Sequence, residues 1–336
     1  MNWYLQVGKE NDVIINTSVS YFRNLRNFKF ETENLNEIKE IEELIKSKLP
    51  SLGYNLKFLK MKDMDEISKK SLFENRLIPQ SVLDNKNNKS SLLINDEENI
   101  CIILNSENHI QIQVFNAGME IQGSFNLAKE IDEKFEKNFD IAKNKKYGYL
   151  TTSPIEVGTG LKVEISLHLP GLTITGNIRK ILQNVSDFGM NFTSVYVKDQ
   201  EPIGDMYKIS NKQTLGISEE NIVKNITAIT KKIIDQEREA RKLIGTNKIQ
   251  LEDLVYRKYG LLTNAKRVSF QEALELMSDI KMGTDLGIID EINDEKIKKV
   301  YYYIKSANLQ KYLGQNLDKY EQEIKRAEII KQILKN

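Results

Sequence analysis

Alternation with a period of two, repeated through the first two thirds of the chain, constrains this sequence more than any other feature. Ile110, Ile112 and Val114 share one face of a run whose other face carries Glu107, His109, Gln111 and Gln113. Leu161, Val163, Ile165 and Leu167 alternate in the same way with Lys162, Glu164, Ser166 and His168. Val19 and Tyr21, with Val13 and Ile15 on the same parity, stand opposite Ser18 and Ser20, and Ile100, Ile102 and Leu104 mark a further run. Successive side chains of a strand point to opposite faces, so each run predicts a strand buried on one side only. Polar faces of this kind imply a largely antiparallel sheet. Helical spacing fills the intervals: residues 35–49, ending before Pro50; residues 127–139; and residues 218–243, with Ser218 as N-cap and Glu219 and Glu220 in the first turn. Helices backing the apolar face predict a two-layer α+β cradle.

After Lys248 the texture changes. Residues 251–289 contain helical stretches, and the charged segment 291–335 is close to continuously helical, with no convincing strand pattern. This predicts a boundary near residue 247, giving a mixed domain over 1–247 and a helical one over 248–336. A chain of 336 residues is long enough for both. With 49 Lys and Arg against 48 Asp and Glu, it lacks the basic excess a general nucleic-acid binder needs. Cys101 is the one cysteine, so no intrachain disulfide forms, and only His109 and His168 could join it as soft metal ligands. The opening MNWYLQVGKENDV has no signal pattern, and no apolar run approaches ~18 residues, so no membrane association and a cytoplasmic location are expected.

Phrases scattered along the chain carry a resemblance. They include SLFENRLIP at 71–79, LNSENHIQIQ at 104–113, FNLAKEID at 125–132, YGYLTTSP at 147–154, VGTGL at 157–161, HLPGL at 168–172 and ISNKQTLGISEENIV at 209–223. In this order and spacing the chain resembles the ATP:guanidino phosphotransferase (phosphagen kinase) family, and within it the bacterial protein-arginine kinases. LEDLVYRKYGLL and EALELMSDIKMGTDLGII, at 251–262 and 272–289, resemble those kinases rather than the small-molecule arginine or creatine kinases. The resemblance implies a glutamine-synthetase-like catalytic fold, an all-helical C-terminal domain used in oligomerisation, and ATP with Mg as cofactors of γ-phosphoryl transfer to a guanidinium.

It also implies a site, and here the chain departs from its pattern. The family's phosphate-binding arginines are matched by Ser18, Ser20, Gln111, Lys162 and, more loosely, Thr193. Arginine's planar fork holds phosphate oxygens bidentately, and of these five only Lys162 keeps a charge. Arg23 and Arg26 could rescue the first pair only by a register slip, and residues three apart face opposite sides of a strand. Of the two guanidinium-binding carboxylates one is matched by Glu107, the other by Lys198, with Asp199 and Glu201 close by. Ser153 replaces a family cysteine, and Glu164 is expected beside Lys162, neutralising it. In the C-terminal segment, the Arg-Asp-x-x-Arg-Ala motif that recognises phosphoarginine is matched by Gln322, Glu323 and Arg326. Two functions follow: a pseudokinase acting by binding to an intact arginine kinase, its zinc-binding activator or Clp-protease machinery; or a divergent working kinase using Lys162, Glu107 and a rearranged 198–201 loop.

Overall fold

A computed structural model describes residues 1–335. Its centre is an eight-stranded sheet with every neighbouring pair antiparallel, in the order β2-β3-β4-β5-β1-β8-β12-β9. The strands are β1 (Ile14–Arg23), β2 (Lys57–Lys60), β3 (Ser91–Ile94), β4 (Ile100–Leu104), β5 (Ile110–Ala117), β8 (Leu161–His168), β9 (Met190–Ser194) and β12 (Met206–Asn211). Two small hairpins complete the set, β6 (Lys143–Asn144) with β7 (Gly148–Tyr149), and β10 (Val197–Lys198) with β11 (Glu201–Pro202).

The period-two reading holds at the middle of the sheet. Val19, Tyr21, Ile110, Ile112, Val114, Leu161, Val163 and Ile165 all enter one core, against α1 (Leu35–Leu52), α4 (Ile121–Asn138), α5 (Pro170–Ile174), α6 (Ile178–Asp187) and α7 (Glu219–Gly245). The alternation fails at the start of β1. A register shift between Ile14 and Asn16 puts Ile14, not Ile15, into that core beside Val13. The opposite face is partly covered by α2 (Glu66–Glu74) and α3 (Gln80–Leu83), packed on Leu92, Ile103 and Phe115. Ser218 caps α7, its Oγ accepting from the amide of Asn221 at 3.2 Å. The first helix runs past Pro50 to Leu52, and Gly53 ends it at φ +73°, a left-handed turn that glycine adopts at low cost.

Helices α8 (Lys248–Asn264), α9 (Phe270–Asp285), α10 (Asp294–Tyr303) and α12 (Lys319–Lys335) build a second core with Ile203, and α11 (Ser306–Leu313) lies between α10 and α12 in the chain, outside that core. The expected near-continuous helix over 291–335 is therefore three helices, broken between Tyr303 and Ser306 and by Gly314 in a left-handed turn at φ +65°. These helices dock on the sheet: α11 packs on α2, and α10 on the turn at Trp3–Leu5.

A buried charge cluster clamps α7, α9 and α5. Glu237 accepts from the amides of Gly171 and Leu172 at 2.8 and 2.9 Å and from Arg241 at 2.6 Å. Arg241 also binds Asp285 at 3.0 Å, and Lys281 holds Asp285 at 2.9 Å. Breaking one link leaves a charge stranded in a dry environment, at a cost of about 3–5 kcal/mol. Arg241→Met should lower the urea unfolding free energy by that order. Lys242→Met, removing an ion pair whose partners are each more than two thirds exposed, should change it by about 1 kcal/mol or less.

Candidate active site

The polar parities of β5, β1, β8 and β12 line one cleft. Register sets Ser20 between Gln113 and Lys162, Ser18 between Phe115 and Glu164, and Lys208 beside Ser166. Ser18, Ser20, Gln111, Gln113, Lys162, Glu164 and Lys208 all face the cavity, and Phe73, Arg76 and Pro79 close it from the α2–α3 side. Four of the five expected phosphate positions are thus brought together.

Charge in the cleft is arranged around Glu164. One carboxylate oxygen accepts from Lys162 Nζ at 2.8 Å and the other from Lys208 Nζ at 3.1 Å. Burial pushes Glu164 toward its neutral form, but the two ammonium groups outweigh it and hold the carboxyl below its usual range. Lys162 is held above its usual value: burial opposes its charge, and Glu164, with Glu156 and Glu107 farther off, prevails. The expected partnership of Lys162 and Glu164 is present. Lys162 is the one charged residue among the five family positions, and Lys208 and Arg76 bring further cations into the cleft from outside them. Lys208 was signalled by the alternation of Tyr207 and Ile209 with Lys208 and Ser210, a run too short to stand out. Arg76 had no local signal: it sits at φ +64°, lines the cleft, and donates to Asn16 Oδ1 at 3.3 Å and to Ser166 Oγ.

The other expected positions lie elsewhere. Thr193 pairs with Lys208 across β9 but is exposed and outside the lining. Glu107 is exposed in the turn between β4 and β5, where its carbonyl accepts from Thr152 Oγ1 at 2.7 Å. Its charge helps raise Glu156, chiefly raised by burial, which accepts from Asn108 at 3.2 Å. Residues 198–201 form an exposed hairpin outside the cleft lining, so no carboxylate from that loop reaches the lysines. Arg23 is fully buried on the helix side, bonded to Asp132 at 2.6 Å and stacked on Tyr149, and Arg26 pairs with Asp140 at 3.1 Å, so neither substitutes for Ser18 or Ser20.

The remaining residues serve the scaffold. His109 is buried, accepting from the amide of Leu25 at 3.0 Å and meeting the carbonyl of Lys29 at 2.9 Å. His168 is buried against Ser278 at 2.9 Å, and burial, with Lys281 and Arg241 nearby, holds it well below its usual pKa and therefore neutral. Gly158 is required by close backbone approach, since a Cβ there would fall 2.3 Å from the carbonyl oxygen of Thr214. Gln322, Glu323 and Arg326 do not converge. Arg326 is buried, donating to the carbonyls of Ile304 and Val268 at 2.5 and 3.0 Å; Glu323 pairs with Arg267 at 3.2 Å; Gln322 donates to the carbonyl of Leu317 at 2.9 Å.

The fold is that of the guanidino phosphotransferases. It matches lombricine kinase over 69% of this chain and 68% of that one, with a TM-score of 0.59 and 20% identity. It also matches the duplicated taurocyamine kinase of Schistosoma mansoni, with a TM-score of 0.62 and 19% identity over 73% of this chain and 37% of that longer one. The family model for the ATP:guanido phosphotransferase C-terminal catalytic domain matches residues 38–240, and that for the protein-arginine kinase McsB C-terminal domain matches residues 248–336. The protein-arginine kinase of Halothermothrix orenii is 35% identical over 98% of this chain and 95% of its own length, and that of Bacillus subtilis 32% over 99% and 93%. This chain belongs to the protein-arginine kinase family.

A carboxylate gripped by two ammonium groups competes with any incoming polyanion. Glu164→Gln removes the negative charge that pairs both lysines and should tighten binding of Mg-ATP by about tenfold, the lower end of what hydrogen bonds to charged groups contribute, read by calorimetric titration against the parent chain.

Proposed function

We propose that this chain keeps the family fold, has lost phosphoryl transfer, and acts by binding within the protein-arginine phosphorylation and Clp-protease system. The Glu164 carboxylate lying between Lys162 and Lys208 carries this reading. ATP and Mg are what the family uses, and the cleft residues do not fit a triphosphate. Two of the three cations are committed to a carboxylate, the third is tied to Asn16 and Ser166, and Ser18, Ser20 and Gln111 bring no charge. Phosphoryl transfer depends on positioning and on neutralising phosphate charge, and one transition-state arginine can be worth roughly 10³–10⁵ in rate. Replacing several of them at once leaves little to lower the barrier, even though such effects do not add. An intact arginine kinase, its zinc-binding activator and Clp components are the proposed partners, and homo-oligomerisation is proposed on the same family basis.

A second reading, a divergent working protein-arginine kinase, has support of its own. Relatives spanning nearly the whole chain carry that name, and Lys208 and Arg76 bring cations to the cleft that the family positions alone did not suggest. Incubation of folded protein with Mg-ATP and casein, scoring acid-labile phosphoarginine by mass spectrometry, separates the two. The first reading expects no phosphoarginine even at high protein concentration. Phosphoarginine that disappears with Glu107→Ala would establish the second.

A further inference from the structure

Beyond the cleft, a cavity separates β1 from α10, walled by Trp3, Asn16, Arg76, Lys298, Tyr301 and Lys305 among others. About 80 Å³ of it is open to the centre of a water molecule, room for several waters or one small anion. Its wall carries an excess of donors. Trp3 Nε1 and Tyr301 Oη are buried and have no hydrogen-bond partner among the described residues. Lys298 is 6% exposed, and its Nζ donates to the carbonyl of Ile15 at 3.1 Å. Lys305 Nζ donates to the carbonyl of Glu74 at 2.7 Å. Neither lysine forms an ion pair with a described residue. Glu74 is the one carboxylate on the wall, and it is already used: it accepts from the amides of Ala307 and Asn308 at 2.8–3.0 Å, capping α11.

Buried polar groups are nearly always paired, and a buried cation without a counter-charge is costly. Here two lysines without an ion-pair partner, an unpartnered indole N–H and an unpartnered phenol line one space whose single carboxylate, Glu74, is already engaged. We propose that this cavity binds a small oxyanion, a phosphate or a carboxylate, held by Lys298, Lys305, Trp3 Nε1 and Tyr301 Oη. The local electrostatics agree. Burial, reinforced by Lys281, brings Lys298 down to about 7 against the weaker pull of Asp294 and Asp285; burial, reinforced by Arg76, brings Lys305 to about 8 despite Glu74. A bound anion would favour the charged form of both. It would also tie α10 to β1, the strand that carries Ser18 and Ser20, and Arg76 lines both this cavity and the cleft. The proposal does not depend on whether the cleft transfers phosphate.

The test uses the full chain, with inorganic phosphate and acetate as separate probes at constant ionic strength and chloride as the reference. Calorimetric titration and thermal unfolding should show binding and a higher Tm with at least one of them. A response to phosphate alone assigns a phosphate site, and a response to acetate alone a carboxylate site. Lys298→Met removes a buried cation and should remain folded, and both it and Tyr301→Phe should weaken binding at least tenfold. Lys162→Met, in the cleft, should leave this binding in place. Absence of binding by either anion, binding unaffected by Lys298→Met, or binding abolished by Lys162→Met would overturn the proposal.

Discussion

The pleat of β1 between β5 and β8 is the constraint on which the rest of this structure depends. Antiparallel pairing on both sides fixes its register, so one parity of three adjacent strands must enter the core and the other must face the cleft. A slip of one residue would exchange Val19 and Tyr21 for Ser18 and Ser20, burying hydroxyls and exposing apolar side chains. Burial thus fixes where the cleft residues stand without fixing what they are. Apolar residues on the core parity keep the fold, and substitution on the cleft parity leaves it intact.

This separation allows a chain that shares a third of its residues with a protein-arginine kinase across nearly its whole length to carry other residues on the cleft parity without loss of the fold. On the core side, buried charges meet opposite charges in the Arg23–Asp132 pair and in the Glu237–Arg241–Asp285–Lys281 cluster. In the cleft, Glu164 spends two cations on itself. Two ammonium groups around one carboxylate form a stable arrangement without a ligand, whereas a site built for a polyanion leaves its cations short of partners until the ligand arrives. Lys298 and Lys305 beside α10 have that second character, and Lys162 and Lys208 in the cleft do not.

Much of this was legible in the sequence, because period-two patterns state directly which side chains share a face. Ser18, Ser20, Gln111, Lys162 and Glu164 were placed on one cleft by parity and family phrase together. What escaped depended on backbone irregularity or on distant contacts. The shift between Ile14 and Asn16 reversed the parity expected for Ile15. Arg76 enters the cleft from a left-handed backbone position that no periodicity marks. The breaks in the C-terminal helical segment rest on turn geometry at Gly314 and around Lys305, where the surrounding helical spacing hides them. Arg326 was matched by motif alone, and its burial against the carbonyls of Ile304 and Val268 had no signal in the sequence.

The central claim is that the cleft no longer presents an anion-binding field to a nucleotide. Calorimetric titration of Mg-ATP into the purified chain at physiological ionic strength tests it most directly. The account predicts a Kd weaker than about 1 mM, corresponding to less than about 4 kcal/mol of binding free energy. A Kd in the low micromolar range would contradict it and would make the three cations of the cleft a working phosphate clamp.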